Sequence, residues 1–194
     1  PGVVGLKSSK HIFVCLLRGI NVGGKNKVDM KQLKKTFERV GLRSVQTYIN
    51  SGNIVFIDET NSVPELKSLL QDAILEDFQL SLELVLRNLT QMRKLIKALP
   101  EAWRIDQAQK SDVMFLWDEV NHASVLKQLT VKDYDTVEFV SGAILWNVRR
   151  EYVTRSGMQK LPGTALYKQM TIRNVNTTCK VFAMMDAAAK QKDK

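Results

Sequence analysis

Val45-Gln46-Thr47-Tyr48-Ile49-Asn50-Ser51-Gly52-Asn53-Ile54-Val55-Phe56-Ile57 is the stretch that decides the fold. Two runs of β-branched and aromatic residues, 45–49 and 54–57, flank the turn-forming Asn50-Ser51-Gly52-Asn53. A connection this short cannot carry the crossover of a dozen or more residues that parallel neighbours need, so the runs pair as an antiparallel hairpin.

The neighbours on each side complete a pattern around that hairpin. Upstream, His11 to Leu17 reads as a buried strand, and Met30, Leu33, Phe37 and Val40 recur at helical spacing between the N-cap Asp29 and the stop Gly41. Downstream, Ser62-Val63-Pro64-Glu65 forms a capping box ahead of the apolar stripe Leu66, Leu69, Leu70, Ala73, Ile74 and Phe78, and a strand follows at Leu82 to Leu86. The order from 11 to 87 is β-α-β-β-α-β, the split pattern of a ferredoxin-like unit with helices on one face of an antiparallel sheet. A helix from Thr90 to Leu99, capped by Thr90, and a linker over 100–110 lead onward.

From residue 111 a similar order begins. It comprises strand Asp112 to Trp117, helix Asn121 to Leu129, and strands Val137 to Val140 and Ala143 to Val148 around Ser141-Gly142. Ser156 to Leu166 is expected to be helical despite Pro162-Gly163, Gln169 to Arg173 extended, and a last helix with Val181, Phe182, Met185 and Ala189 capped by Asn174 or Asn176. The expected fold class is therefore α+β, two ferredoxin-like units of antiparallel sheet. The divisions are a flexible 1–10, a first unit over 11–90, a connecting helix and linker over 91–110, and a second unit over 111–194 with the C-terminal helix. Strand start to hairpin serine is 40 residues in the first unit, 11 to 51, and 29 in the second, 112 to 141. The excess of 11 matches the length of segment 18–28, which reads as an insertion in one copy.

Composition bounds the function. With 194 residues, 44% of them apolar, the chain can bury a core, and it holds no run long enough to span a membrane. The start PGVVGLKSSK has no apolar signal core, and Cys15 and Cys179 stand at no metal or redox spacing, so a reducing, cytoplasmic setting is expected. His11 and His122 are too few for a zinc site or a triad; no metal and no cofactor is called for, and no nucleophile–base pair names a reaction. The net charge of +9 favours an anionic partner. Residues 18–43 carry eight Lys/Arg against two acids, and residues 145–180 seven against one.

The first basic patch opens with Arg18-Gly19-Ile20-Asn21-Val22-Gly23-Gly24-Lys25-Asn26-Lys27-Val28-Asp29-Met30. From Gly19 it reads G-x-x-x-x-G-K, but Asn26 stands where a P-loop needs Ser or Thr, the helix cap comes late at Asp29, and a hairpin replaces the required parallel strands. A different anion site is the stronger reading. Arg18, Lys25 and Lys27 would supply charge, Asn21 and Asn26 hydrogen bonds, and Gly19, Gly23 and Gly24 backbone access. Asn50, Ser51 and Asn53 of the hairpin turn, with Arg173 and Asn174, are further candidates for a small phosphate- or carboxylate-bearing ligand. Two rival readings stay open. One is nucleic-acid binding through basic patches, with Tyr48, Phe56 and Trp146 as aromatics that an open sheet face could present. The other is an interaction module, monomer or homodimer, anchored by Trp103, Trp117 or Trp146.

Three of these motifs are familiar together. RGINVGGKNKVDM, TYINSGNIVF from Thr47 and TIRNVNT from Thr171 resemble the signature of the bacterial family catalogued as domain of unknown function 1697, over about residues 11–187. The resemblance implies two linked α+β units of ferredoxin-like character and no established activity. One departure is that Val175 follows Arg173-Asn174 where the family usually has tryptophan, which weakens the case for an aromatic ligand contact there.

Overall fold

Strand β1 (Ile12–Leu17), helix α1 (Met30–Arg39), strands β2 (Arg43–Tyr48) and β3 (Asn53–Ile57), helix α2 (Val63–Phe78) and strand β4 (Leu84–Asn88) form the first unit in the expected order. The computed structural model describes residues 8–104 and 107–191; the flexible end expected over 1–10 lies outside them up to residue 7. The sheet order is β2-β3-β1-β4, every pair antiparallel, so β3 is inserted between the two strands that α1 connects. Local chemistry sets the helix ends. The Asp29 carboxylate accepts from the N–H groups of Lys31 and Gln32 at 2.8 and 3.0 Å, and Ser62 and Glu65 close their capping box at 3.3 and 3.0 Å.

Along β1, Phe13, Cys15 and Leu17 join Leu33 and Phe37 of α1 and Leu66, Leu70 and Ile74 of α2 in one core. The intervening Ile12, Val14 and Leu16 are buried too. An unbroken apolar run, without alternation, is what a strand covered on both faces requires. Phe56 and Trp146 are likewise fully buried, so neither is an aromatic on an open sheet face, and Trp103 is buried as well.

The second unit repeats the sheet with β5 (Gln109–Leu116), β6 (Asp135–Val140), β7 (Ala143–Arg149) and β8 (Met170–Asn174), in the order β6-β7-β5-β8, again antiparallel throughout. Its connections differ from expectation. Instead of an α-helix over 121–129 there are 3-10 segments at Asp118–Val120 and Ala123–Gln128, and the helix expected over 156–166 is replaced by 3-10 segments at Arg150–Arg155, Gly157–Gly163 and Leu166–Gln169. A 3-10 segment rises about 2.0 Å per residue against 1.5 Å for an α-helix, so it crosses a sheet with fewer residues. Pro162, with no N–H, further prevents a continuous α-helix.

Helices α3 (Leu89–Ala98) and α4 (Val175–Lys190) each follow the last strand of a sheet. Both are capped by the asparagine that ends that strand. Asn88 Oδ1 accepts from Gln91 N at 2.9 Å while Gln91 Oε1 accepts from Asn88 N at 2.8 Å, and Asn174 Oδ1 accepts from Thr177 N at 2.7 Å. Thr90, the expected cap, is thus displaced by Asn88, whose side-chain oxygen reaches the first-turn amide of Gln91. By Cα proximity the chain divides into one compact unit made of the described residues up to Met92 with those from Val181 on, and another of Arg93–Lys180.

Equivalent hydrogen bonds align the two sheets. Leu17 N donates to Gly52 O at 2.9 Å and Leu116 N to Gly142 O at 3.0 Å, while Arg18 N and Trp117 N donate to Glu83 O and Gln169 O, each at 3.0 Å. On this alignment 35 positions separate Leu17 from Gly52 and 26 separate Leu116 from Gly142, so the first unit is longer by 9 and not by 11. The excess is also not confined to 18–28: the hairpin turn takes part of it, four residues at 49–52 against two at 141–142.

Candidate functional site

Segment 18–29 is a miniature hairpin. Val22 and Lys25 form a bridge, Lys25 N donating to Val22 O at 3.0 Å, and Asn21 N donates to Asn26 O at 3.1 Å just below. Gly23 and Gly24 occupy the two turn positions with φ of 57° and 74°, the paired left-handed conformation of a type I′ turn. Ile20 and Val28 are buried and root the hairpin in the core, whereas residues 22–27 are exposed, Val22 by 65%.

The two asparagines build this hairpin. Asn21 Nδ2 donates to Val28 O at 3.0 Å and its Oδ1 accepts from Val28 N at 2.8 Å; Asn26 Nδ2 donates to Gly19 O at 2.9 Å. Both also adopt positive φ, 53° and 49°. The amides assigned to a ligand from sequence are therefore engaged with backbone, which leaves Lys25 and Lys27 as the exposed charged groups of the tip.

The hairpin turn of β2 and β3 lies against the same segment. Asn21 Nδ2 donates to Asn50 O at 2.7 Å, and a Cβ on Gly52 (φ 87°) would meet Leu17 Cβ at 2.8 Å and Ile20 Cδ1 at 3.0 Å. Motifs 18–28 and 50–53 thus converge at one end of the first sheet. Within the turn, Asn53 is buried and donates to Tyr48 O and Ser51 Oγ at 3.0 and 2.9 Å, so it too holds the turn. Asn50 is exposed and Ser51 half-buried. Ile49 beside them is 51% exposed at φ 49°, a conformation that a β-branched residue adopts only against strain.

No P-loop geometry is present among the described residues. The N–H groups of Asn21 and Lys25 are spent inside the hairpin, those of Lys31 and Gln32 on Asp29, and helix α1 starts at Met30, five residues after Lys25. A phosphate nest needs such amides directed at the ligand.

Arg173 and Asn174 belong to the second unit. Arg173 is buried, and one of its guanidinium nitrogens donates to Thr171 Oγ1 at 2.9 Å and Ile172 O at 3.0 Å; Asn174 serves as the cap of α4. Sequence reasoning missed their counterparts. Arg87, buried, donates to Leu86 O at 3.0 Å, and in strand register Arg87 faces Val14 as Arg173 faces Val113. The repeated Arg-Asn at 87–88 and 173–174, each just before a helix, was the signal, and it marks an architectural element.

Two other polar groupings stand outside the loop. An open cleft of about 500 Å³ between α1 and α2 is lined by Gln32, Lys35, Thr36, Arg39, Glu76, Asp77 and Phe78. Hydrogen bonds from Thr36 Oγ1 at 2.6 Å and from the Arg39 guanidinium at 2.9 Å hold the Asp77 carboxyl below its ordinary value, so this cleft is a helix-to-helix staple of mixed charge. In the second unit Asp135 accepts from Ser156 Oγ, Lys132 N, Gly157 N and Trp146 Nε1 at 2.5, 2.8, 2.9 and 3.2 Å. Burial raises its carboxyl pKa, but those donors together outweigh burial and hold it below the ordinary value. Among the described residues no group of three or more His, Cys, Asp or Glu gathers as metal ligands would, and no helix is long and apolar enough to cross a membrane.

The chain belongs to the protein family of unknown function DUF1697, whose pattern matches residues 11–145. Among solved structures it is similar to that of the conserved bacterial protein SP0830 from Streptococcus pneumoniae, at 30% identity and a TM-score of 0.79 over 90% of this chain and 98% of that one. No curated protein matches it.

Proposed function

We propose that the protein binds a phosphate- or carboxylate-bearing ligand at the tip of the 18–28 hairpin, with Lys25 and Lys27 as the contacting cations, Arg18 at the base and the exposed Asn50 at the margin. The observation that carries this reading is the way the tip is held. Three side-chain hydrogen bonds of Asn21 and one of Asn26 fix a loop whose outermost residues, 22–27, contain two lysines and no acid. Ordering exposed backbone costs about 1–2 kcal/mol per residue, and the second sheet makes the equivalent bond of Leu116 to Gly142 without such a tip. A pre-ordered cationic loop instead saves that cost when an anion binds. Asn21, Asn26 and Asn53 enter as the frame of the site and Gly23-Gly24 as its turn.

The test is a thermal-shift screen of inorganic phosphate, pyrophosphate, nucleotides and small carboxylates on the wild type and on Lys25→Ala. A ligand of the folded state raises the unfolding temperature, and the proposal expects Lys25→Ala to lose that rise. Equal shifts in the two proteins would move the ligand away from this loop.

A further inference from the structure

We infer that the second unit carries, independently of the basic hairpin, a stacking surface for single-stranded nucleic acid, formed by Tyr134 and Tyr152 with Arg149 and Arg155 as phosphate contacts. The rings of Tyr134 and Tyr152 stack with centroids 4.5 Å apart and planes inclined by 20°. Neither belongs to the core cluster around Trp146, and Tyr134 is 41% exposed, so the pair extends aromatic surface to solvent.

Cations flank the rings. The Arg149 guanidinium lies 5.9 Å from the Tyr152 ring centroid, and Arg155 follows Tyr152 by three residues within the 3-10 segment Arg150–Arg155, where residues three apart eclipse. Three acids adjoin this row. Glu151 pairs with Arg149 at 2.8 Å, but both side chains are more than half exposed, and a pair so solvated exchanges readily for a phosphate. Asp133 is exposed on one side of Tyr134, and Asp135 on the other is committed to Ser156 and Gly157.

The chemistry selects the occupant. A small anion has no use for exposed rings, whereas an unpaired base stacks on an aromatic face while its backbone tracks the arginines, and every base offers a π-face. Duplex bases are already stacked and cannot do this. Of the sheet aromatics that the sequence offered for this role, Phe56 and Trp146 are buried and Tyr48 is half-buried, so the stacked tyrosine pair on the connections takes it.

Fluorescence anisotropy of a labelled oligonucleotide of about 12 residues, single-stranded and as duplex, tests this across a salt series. The single strand should bind tighter than the duplex. Tyr134→Ala should lose about tenfold in affinity at an unchanged salt slope, and Tyr134→Phe should keep wild-type affinity. Arg149→Gln with Arg155→Gln should reduce the slope of log affinity against log salt by about 0.7 for each phosphate no longer neutralised. Lys25→Ala, remote in sequence and in the other unit, should bind as the wild type does. The inference is overturned by absence of single-strand binding, by equal affinity for the duplex, by wild-type affinity in Tyr134→Ala, or by a loss seen only in Lys25→Ala.

Discussion

Leu17 and Leu116 end equivalent strands, and each donates its N–H to the glycine of the neighbouring hairpin turn, yet the chain that leaves them differs in every respect that matters for a ligand. After Leu17 come Arg18 and a glycine-rich hairpin with Lys25 and Lys27; after Leu116 come Trp117-Asp118-Glu119-Val120-Asn121, two acids and no cation. Asn21 and Asn121 do the same job in both, reaching the turn at 2.7 Å, from Asn21 Nδ2 to Asn50 O in one and from Gly142 N to Asn121 Oδ1 in the other. The shared part is the lock that holds the sheet end. The unshared part, a cationic tip rooted by buried Ile20 and Val28, is surplus to that lock, and it is the part on which the proposed anion site rests.

If the second unit is specified by tight packing and the tip by local turn geometry, glycine replacements should separate them most. A Cβ on Gly157 would lie 1.8 Å from Thr130 O, a backbone atom that cannot swing away, so Gly157→Ala is expected to cost about 3 kcal/mol or more. Gly24 has open space around it and only its φ of 74° to lose, so Gly24→Ala should cost about 1 kcal/mol. Urea unfolding of the two variants checks the contrast; equal losses would erase it.

The Asp135 knot comes next in size and has no counterpart at the tip. Asp135→Ala strands the Ser156 hydroxyl, the Trp146 indole N–H and two backbone amides, a loss of about 2–4 kcal/mol at pH 7. Because the folded carboxyl is held below its unfolded value, its stabilisation is complete above about pH 4 and is lost as pH falls through the lower folded value. Unfolding midpoints of wild type and Asp135→Ala should therefore stay separated from pH 7 down to about 4 and converge only below it.

The asparagine pair probes the lock that the two sheet ends share. Asn21→Ala removes three hydrogen bonds and should cost about 2 kcal/mol with faster amide exchange over 21–28, whereas Asn121→Ala removes one and should cost about 1 kcal/mol. Smallest of all is a gain. Ile49→Asn relieves a β-branched residue at positive φ and should stabilise the protein by about 0.5–1 kcal/mol, read as a rise of a few degrees in Tm.

The hairpin and both strand orders were legible because their signals are local: a four-residue turn with Gly52, a capping box at Ser62, alternating or continuous apolar runs. The 3-10 connections were not, since Val125, Leu126 and Leu129 satisfy a helical stripe and a tighter turn equally well, and only the distance to be spanned across the sheet chooses between them. The same holds for the proposed site. Its cations and asparagines could be named from sequence, but an amide that binds backbone and one that binds a ligand leave the same letter in the chain. Asn21 and Asn26 turned inward because Val28 and Gly19 offered partners that only the folded hairpin brings within reach. The tyrosine pair was invisible for a related reason: 18 positions separate Tyr134 from Tyr152, and no periodicity links them.

Whether the hairpin tip is the anion-recognition element can be read from a titration of the isotopically labelled protein with pyrophosphate, followed by backbone amide chemical shifts. Saturable shifts should concentrate at Gly23, Gly24, Lys25 and Lys27 and be abolished in Lys25→Ala. Saturable shifts confined to other parts of the chain, or none at all, would refute that role for the tip.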